Sequence, residues 1–226
     1  MKLTWYGQAS FGITSDSGLV IVTDPYDPDK AAYKPFPTPA DIVIKSSSND
    51  DYHDNDHLVP KKDGATVIDA LQVARGGGET ESHGVTFRAV EAAEHEQHFK
   101  DNPDANAMYR FNVDGVEIAH MGDVGNPLSD TQTDFFRGVD VLLALTGGYP
   151  VIELDELKRL IDETKPKWVV PMHFQTLRLK PRGSLWLPSF LKYFSDEQVD
   201  FAYDDTAEIT PDNLPIETRV LVIDYI

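Results

Sequence analysis

Hydrophobic positions along this chain fall in short bursts separated by turn residues, the pattern of a strand-rich fold rather than a helical bundle. Leu3–Tyr6, Phe11–Thr14 and Leu19–Thr23 read as three strands of an antiparallel meander, punctuated by Gly7 and the turn from Ser15 to Gly18. Tyr26 to Pro39 is rich in Pro and Asp and reads as an irregular loop. Asp41–Lys45, with Ile42, Val43 and Ile44 in a row, suits a strand covered on both faces. Thr66–Ile68, Gln72–Ala74 and Val85–Ala89 read as further strands. Met108–Val113 and Val116–His120 form a hairpin across Asp114-Gly115, a strong two-residue turn signal. The period then changes. Asp130–Phe136 reads as a short helix and Val139–Leu145 as an apolar strand. Leu154, Leu157, Leu160 and Ile161 recur at helical spacing before the stop at Lys165-Pro166. Trp168–Val170 is a strand leading into Pro171-Met172-His173, and the tail adds a short helix after Pro188 and strands near Phe201–Tyr203 and Arg219–Ile223. No internal repeat, low-complexity linker or boundary is visible, so residues 1–226 read as a single domain.

Polar chemistry collects where these strands end. The loop after Lys45 carries Ser47, Asn49, Asp50, Asp51, Tyr52, His53, Asp54, Asp56 and His57, a density of oxygens and imidazoles that needs water, a metal or a ligand to satisfy it. Asp123 and His173 stand at two other strand ends. Loops held by a rigid sheet are the usual place for chemistry. Thr146-Gly147-Gly148 reads as a tight strand-end turn with backbone amides open to an anion.

Composition narrows the classes. At 226 residues and 41% hydrophobic content the chain can build a core. A formal net charge of −18 excludes the electrostatic footprint of a nucleic-acid binder. With no cysteine, disulfides and thiolate metal sites are excluded, so any metal is held by nitrogen and oxygen. No signal-peptide pattern or membrane-length apolar run is present, and the expected location is cytoplasmic, with no membrane partner.

The order of motifs resembles a known family. Trp5-Tyr6-Gly7-Gln8-Ala9-Ser10-Phe11, Thr23-Asp24-Pro25, Ala40-Asp41 with its loop, Ala119-His120-Met121-Gly122-Asp123, Val139-Asp140-Val141-Leu142-Leu143, Gly147-Gly148 and Pro171-Met172-His173-Phe174 look like the metallo-β-lactamase superfamily. The branch they resemble is the small metal-dependent hydrolases similar to the ascorbate-6-phosphate lactonase. The resemblance implies an α/β (α+β) fold, a four-layer αβ/βα sandwich, with a two-metal site at one edge. It implies a loop reading His-x-His-x-Asp-His, a third His, the Asp of a Gly-Asp pair and the His of Pro-Met-His as ligands. Laid on this sequence, the loop positions fall on Ser47, Asn49, Asp51 and Tyr52; the third His falls on Glu94 or, with a one-residue shift, His95; Asp123 and His173 are kept. Outside that set, the usual Gly-His-Ala is Gly7-Gln8-Ala9, and Asn126 replaces a His.

Ser47 and Asn49 are poor zinc ligands, so the three-histidine half of such a site is expected to be empty. The candidate metal residues are Asp51, Glu94, His95, Asp123 and His173, with Asp51 and Asp123 also the candidate catalytic carboxylates. Three readings follow. The first is a hydrolase working with one divalent ion, Zn²⁺, Mn²⁺ or Mg²⁺, with His53 or Glu94 as an added ligand and the harder ions favoured. The second is a non-catalytic binding module for a small molecule or protein, with no ion, in which Ser47, Asn49 and Tyr52 fill the former cavity. The third is an assembly role, with an apolar patch from Leu185 to Phe194 buried in a homo-oligomer. His53 and His57 read as surface residues, like His95 and His98.

Overall fold

The computed structural model describes residues 1–47, 52–94, 105–125, 127–180 and 182–225. In chain order the elements are β1 (Lys2–Gly7), β2 (Ser10–Thr14), β3 (Val20–Thr23), α1 (Pro28–Ala31), β4 (Ala40–Lys45), β5 (Lys61–Asp69), α2 (Ala70–Arg75), β6 (Glu79–Ser82), β7 (Val85–Ala93), β8 (Ala105–Val113), β9 (Val116–His120), α3 (Asp130–Asp134), β10 (Val141–Leu145), α4 (Leu154–Thr164), β11 (Trp168–Met172), α5 (Pro188–Leu191), β12 (Val199–Phe201), β13 (Thr206–Glu208) and β14 (Arg219–Val222). They form two mixed sheets, one of six strands in the order β13-β1-β2-β3-β4-β5 and one of eight in the order β12-β14-β11-β10-β9-β8-β7-β6. The two sheets and their helices make the four-layer α/β sandwich.

Strand alternation explains how one sequence face fills the centre while the other is covered separately. Ile21, Ile42 and Ile44 join Leu3, Phe11, Phe87, Tyr109 and Leu143 in the core between the sheets. Their neighbours Val20, Val22 and Val43 point the other way, into a second cluster with Tyr26, Tyr33 and Phe36. The outer face of the six-stranded sheet is thus covered by the Pro- and Tyr-rich segment after β3. Asp27 caps α1 in that segment by accepting from the Asp29 and Lys30 amides, and the Tyr26 hydroxyl donates to the carbonyls of Tyr6 and Lys34. Helix α4 is the crossover between parallel strands β10 and β11, and Leu154, Leu157, Leu160 and Ile161 are buried in the core.

Gln72–Ala74 reads as a strand in the sequence but is helical, within α2. Asp69 ends β5 and its carboxylate accepts from the Gln72 amide, so the capping residue starts a helix that the short apolar run does not announce. The Tyr26–Pro39 loop likewise contains the single turn of α1. The segment from Leu185 to Phe194 is shared between inside and outside: Phe190 is fully buried, whereas Leu185 is 39% and Trp186 47% exposed. Among the described residues no helix is long and apolar enough to cross a membrane.

Strands β9, β10 and β11 run parallel, so their C-terminal ends share one edge of the sandwich. In the facing sheet β3, β4 and β5 are parallel as well. Ligand sites of open α/β sheets lie beyond such carboxyl ends.

Candidate metal centre

Three strand ends converge on one point. His53 comes from the loop after β4, Asp123 from the turn after β9 and His173 from the residue after β11, and one ligand atom of each lies within 4.8 Å of the others. All three are buried. His53 Nδ1 is 3.6 Å from Asp123 Oδ2, and His173 Nε2 is 3.4 Å from Asp123 Oδ1. The carboxylate therefore stands between two imidazoles whose rings are stacked at 5.7 Å, with 15° between their planes.

The backbone that holds these groups is locally unusual. Gln8, Asp24 and His173 have φ of 52°, 34° and 61°, the left-handed region in which a side chain costs about 1–3 kcal/mol. Each stands at a strand end beside the cluster, and the His173 amide donates to the Gln8 carbonyl at 3.0 Å. Gly122 has φ of +63°, and a Cβ there would lie 2.5 Å from the Ala107 carbonyl, so only glycine lets the Asp123 turn lie against β8. Gly147 is packed against His173 in the same way: a Cβ would come 2.1 Å from its carbonyl oxygen. The segment read in the sequence as a tight strand-end turn, Thr146-Gly147-Gly148, thus lies against His173.

A buried polar network fixes these strand ends. Asp24, wholly inaccessible, accepts from the Ser46 amide at 2.7 Å, the Ser46 hydroxyl at 2.8 Å and the Tyr109 hydroxyl at 3.3 Å. Burial pushes its carboxyl up to about 7 against the charge of His53 and the Ser46 hydrogen bonds, which favour the anion. His120 Nε2 donates to the Ala9 carbonyl at 2.8 Å, and its Nδ1 accepts from the Gly122 amide at 2.9 Å. Burial lowers that imidazole to about 3, so it is neutral and in one tautomer. Asn106 Nδ2 donates to the Asp123 carbonyl at 3.2 Å. The Gly122-Asp123 turn is thereby tied to both sheets.

The sequence-derived candidates separate clearly. Asp123 and His173 come together. Asp51, His95, His98, Asn49 and Asn126 lie outside the described residues. Glu94 is half-buried, and its carbonyl oxygen abuts Gly125, but its carboxylate is not among the converging ligand atoms. Tyr52 turns away to pack on the outer cluster with Tyr26 and Tyr33. His53, read in the sequence either as an added ligand or as a surface residue, is 1% exposed and belongs to the cluster, whereas His57 is exposed. A helix carrying both histidines on one face does not form; only Asp56–Leu58 makes a single 3₁₀ turn. The available signal was position: His53 follows directly on Tyr52, where the family pattern places a loop histidine.

Two imidazoles and a carboxylate are a donor set that divalent zinc-type ions accept. Around an ion with bonds of about 2.1 Å, tetrahedral ligands lie roughly 3.4 Å apart, close to the 3.4 and 3.6 Å observed. Both contacts exceed the 2.7–2.9 Å of charge-assisted hydrogen bonds. The buried Gln8 Oε1, Ser47 Oγ and Asn106 Oδ1 have no hydrogen-bond partner among the described residues, which suits strand ends built around a hydrated ion.

Comparison with known proteins identifies the family. Residues 2–173 match the beta-lactamase superfamily domain. A UPF0173 metal-dependent hydrolase of Myxococcus xanthus is 28% identical over 203 residues, covering 79% of this chain and 72% of that protein. A UPF0173 protein of Pyrococcus furiosus is 27% identical over 194 residues, covering 78% and 84%. The crystal structure of a candidate Zn-dependent hydrolase of the metallo-β-lactamase superfamily from Thermotoga maritima superposes with a TM-score of 0.74 at 29% identity, covering 98% of this chain and 97% of that one. The chain belongs to the metallo-β-lactamase superfamily, among its small, metal-dependent hydrolase-like proteins.

Proposed function

We propose that this protein is a hydrolase that works with one divalent ion, held by His53, Asp123 and His173, in the half of the family's two-metal centre that its sequence retains. The observation that carries the reading is the spacing of the two imidazoles from the Asp123 carboxylate, too long for strong hydrogen bonds and right for ligands of a shared ion. His53 supplies the loop imidazole that Tyr52 lacks. Asp51, two residues upstream, remains the candidate fourth protein ligand and water-orienting carboxylate. Glu94 and, with the one-residue shift, His95 stay candidate ligands from the sequence pattern. The other half, where the family uses three histidines, offers Ser47 and Asn49 and is not expected to hold a second ion. With two imidazoles in the set, zinc-type ions are favoured over the harder Mg²⁺.

Such an ion would acidify a bound water and polarise the bond to be cleaved. The chain's part is positional. Asp123 is held by its own turn, which the His120 and Asn106 hydrogen bonds fix before any substrate arrives. Asp24 holds Ser46 and thereby the start of the loop that delivers His53. The non-catalytic alternative, in which Ser47, Asn49 and Tyr52 fill the former cavity with hydrogen bonds, is less well supported: Tyr52 packs against the outer cluster and the Ser47 hydroxyl is unpartnered among the described residues, which do not include Asn49.

The test is a hydrolase screen on lactones and phosphoesters with chelator-stripped protein and protein reloaded with Zn²⁺ or Mn²⁺, alongside His53→Ala and His57→Ala. Activity should need the ion, fall at least about 100-fold in His53→Ala and survive His57→Ala. Metal-dependent activity that is unchanged in His53→Ala would refute the assignment of the loop ligand.

A further inference from the structure

His173 keeps a left-handed backbone, φ 61°, directly after β11. Such a conformation persists only where the surroundings over-determine it. Its amide donates to the Gln8 carbonyl at 3.0 Å, and the same carbonyl accepts from Trp5 Nε1 at 3.1 Å. Gln8 is left-handed too, at 52°, beside the point where the β1–β2 register shifts between Trp5 and Gly7. Whatever holds Gln8 in this irregular junction therefore also places the His173 backbone.

Tyr33, in the loop after α1, meets the junction at three points. Its ring lies against Gly7, where a Cβ would come within 2.8 Å of it. Its hydroxyl is 2.8 Å from Thr176 Oγ1, three residues beyond His173. The Gln8 backbone is hydrogen-bonded to the same phenol oxygen. Burial pushes the Tyr33 hydroxyl up to about 12, against the Thr176 and Gln8 hydrogen bonds, which favour the anion. Thr176 Oγ1 also accepts from the Leu179 amide at 3.1 Å, and Gln175 Nε2 donates to the carbonyls of Thr176 and Leu179, so the chain just past His173 is knit into a turn. One phenol thus joins the residue that accepts from the His173 amide to the turn that follows His173. The phenol is itself fixed: Tyr33 is buried, with its ring 5.4 Å from Tyr26 and 4.5 Å from Tyr225. Tyr26 shares this aromatic cluster, but its hydroxyl donates to the Tyr6 and Lys34 carbonyls instead.

We propose that Tyr33 is a positioning residue for His173: its hydroxyl, bridging Gln8 and Thr176, fixes the backbone from which the imidazole meets Asp123. The inference rests on the single-ion reading for what His173 holds, but the clamp itself needs no ion. Loss of a group that orients a metal ligand from behind typically costs about 10–100-fold in metal affinity. Tyr33 acts through the backbone rather than on the ring, which places it at the lower end of that range.

The test compares Tyr33→Phe with Tyr26→Phe, each of which deletes one buried hydroxyl and keeps the ring. Hydrogen exchange of the His173 amide is followed by NMR in chelator-treated protein, relative to core amides such as that of Leu143. It should speed up about tenfold in Tyr33→Phe and stay level with the core in Tyr26→Phe. Zn²⁺ affinity, measured by competition with a chromophoric chelator, should fall about tenfold in Tyr33→Phe and less than about twofold in Tyr26→Phe. Thr176→Val should reproduce the exchange effect, and the double variant with Tyr33→Phe should add less than about twofold to it. A merely structural tyrosine would lower stability in both phenylalanine variants and leave His173 exchange level with the core. Equal His173 exchange in the two phenylalanine variants overturns the proposal, as does wild-type Zn²⁺ affinity in Tyr33→Phe. Failure of the single-ion reading would show separately, as a wild type that takes up no Zn²⁺ while the exchange difference persists.

Discussion

Asp24→Asn is the perturbation with the most to say about how the site is built. The Asp24 carboxyl is completely buried, and burial lifts it from 3.8 to about 7 despite the donors around it. A carboxyl raised in the folded state favours folding while it is protonated. Below its unfolded value both states hold the proton. Between that value and about 7 the unfolded chain ionises while the folded chain resists, so stability falls as pH rises through the window. At about 1.4 kcal/mol per pH unit the full loss is on the order of 4 kcal/mol. Asparagine keeps the shape, accepts from the Ser46 amide and the Tyr109 hydroxyl, and cannot ionise. Urea unfolding of chelator-treated wild type and Asp24→Asn, measured from pH 4 to pH 7.5, isolates the effect, because the other titrating groups are common to both. Wild type should lose several kcal/mol relative to the variant across this range. A difference that is flat, or that grows in favour of wild type with pH, would refute the reasoning and mean that the Ser46 and Tyr109 donors keep Asp24 ionised. Asp24→Ala should cost more than Asp24→Asn at every pH, since it strands three buried donors at roughly 1–3 kcal/mol each.

Two further outcomes follow from the same strand ends. Gly122→Ala places a methyl 2.5 Å from the Ala107 carbonyl at a left-handed φ; it should destabilise by at least about 2 kcal/mol and weaken metal binding by moving Asp123, both read from thermal melts with and without Zn²⁺. His120, lowered to about 3, should show a neutral imidazole with its proton on Nε2 in NMR spectra down to pH 4; because the unfolded chain binds that proton from about pH 6.5 downward, its contribution to stability is lost as pH falls from there towards 3. A His120 resonance titrating near pH 6 would contradict the buried, hydrogen-bonded placement.

Much of the fold was legible because alternation and turn chemistry agree with it. The Asp114-Gly115 hairpin, the Leu154 helix with its Lys165 stop and the buried Ile42-Val43-Ile44 strand all appear where the pattern puts them. What failed was local. Gln72–Ala74 lacks enough length for a helical period to show, and the deciding signal, the Asp69 cap, belongs to the preceding strand. At the site, Asp123 and His173 were readable as polar residues at strand ends that also keep the resembled family's motif. His53 was readable only as one of two options, an added ligand of a single ion or a surface histidine beside His57, because its burial depends on the path of the loop in three dimensions. Asp24 and His120 stood inside recognisable motifs, yet their joint role in tying the two sheets together requires contacts between distant parts of the chain, 85 residues apart for Asp24 and Tyr109. The Tyr33 clamp on the His173 segment was invisible for the same reason, since Gln8, Tyr33 and Thr176 meet only in the folded chain.

The most direct measurement is metal stoichiometry. Purified protein is stripped with chelator, offered Zn²⁺, Mn²⁺ and Mg²⁺ separately, dialysed and assayed by elemental analysis, with His53→Ala and His173→Ala in parallel. The account predicts one ion per chain, Zn²⁺ retained best, and none retained by either variant. Two ions per chain would contradict it by showing that residues outside the His53, Asp123 and His173 cluster rebuild the second half of the centre, and none would contradict it by showing that the cluster holds no ion.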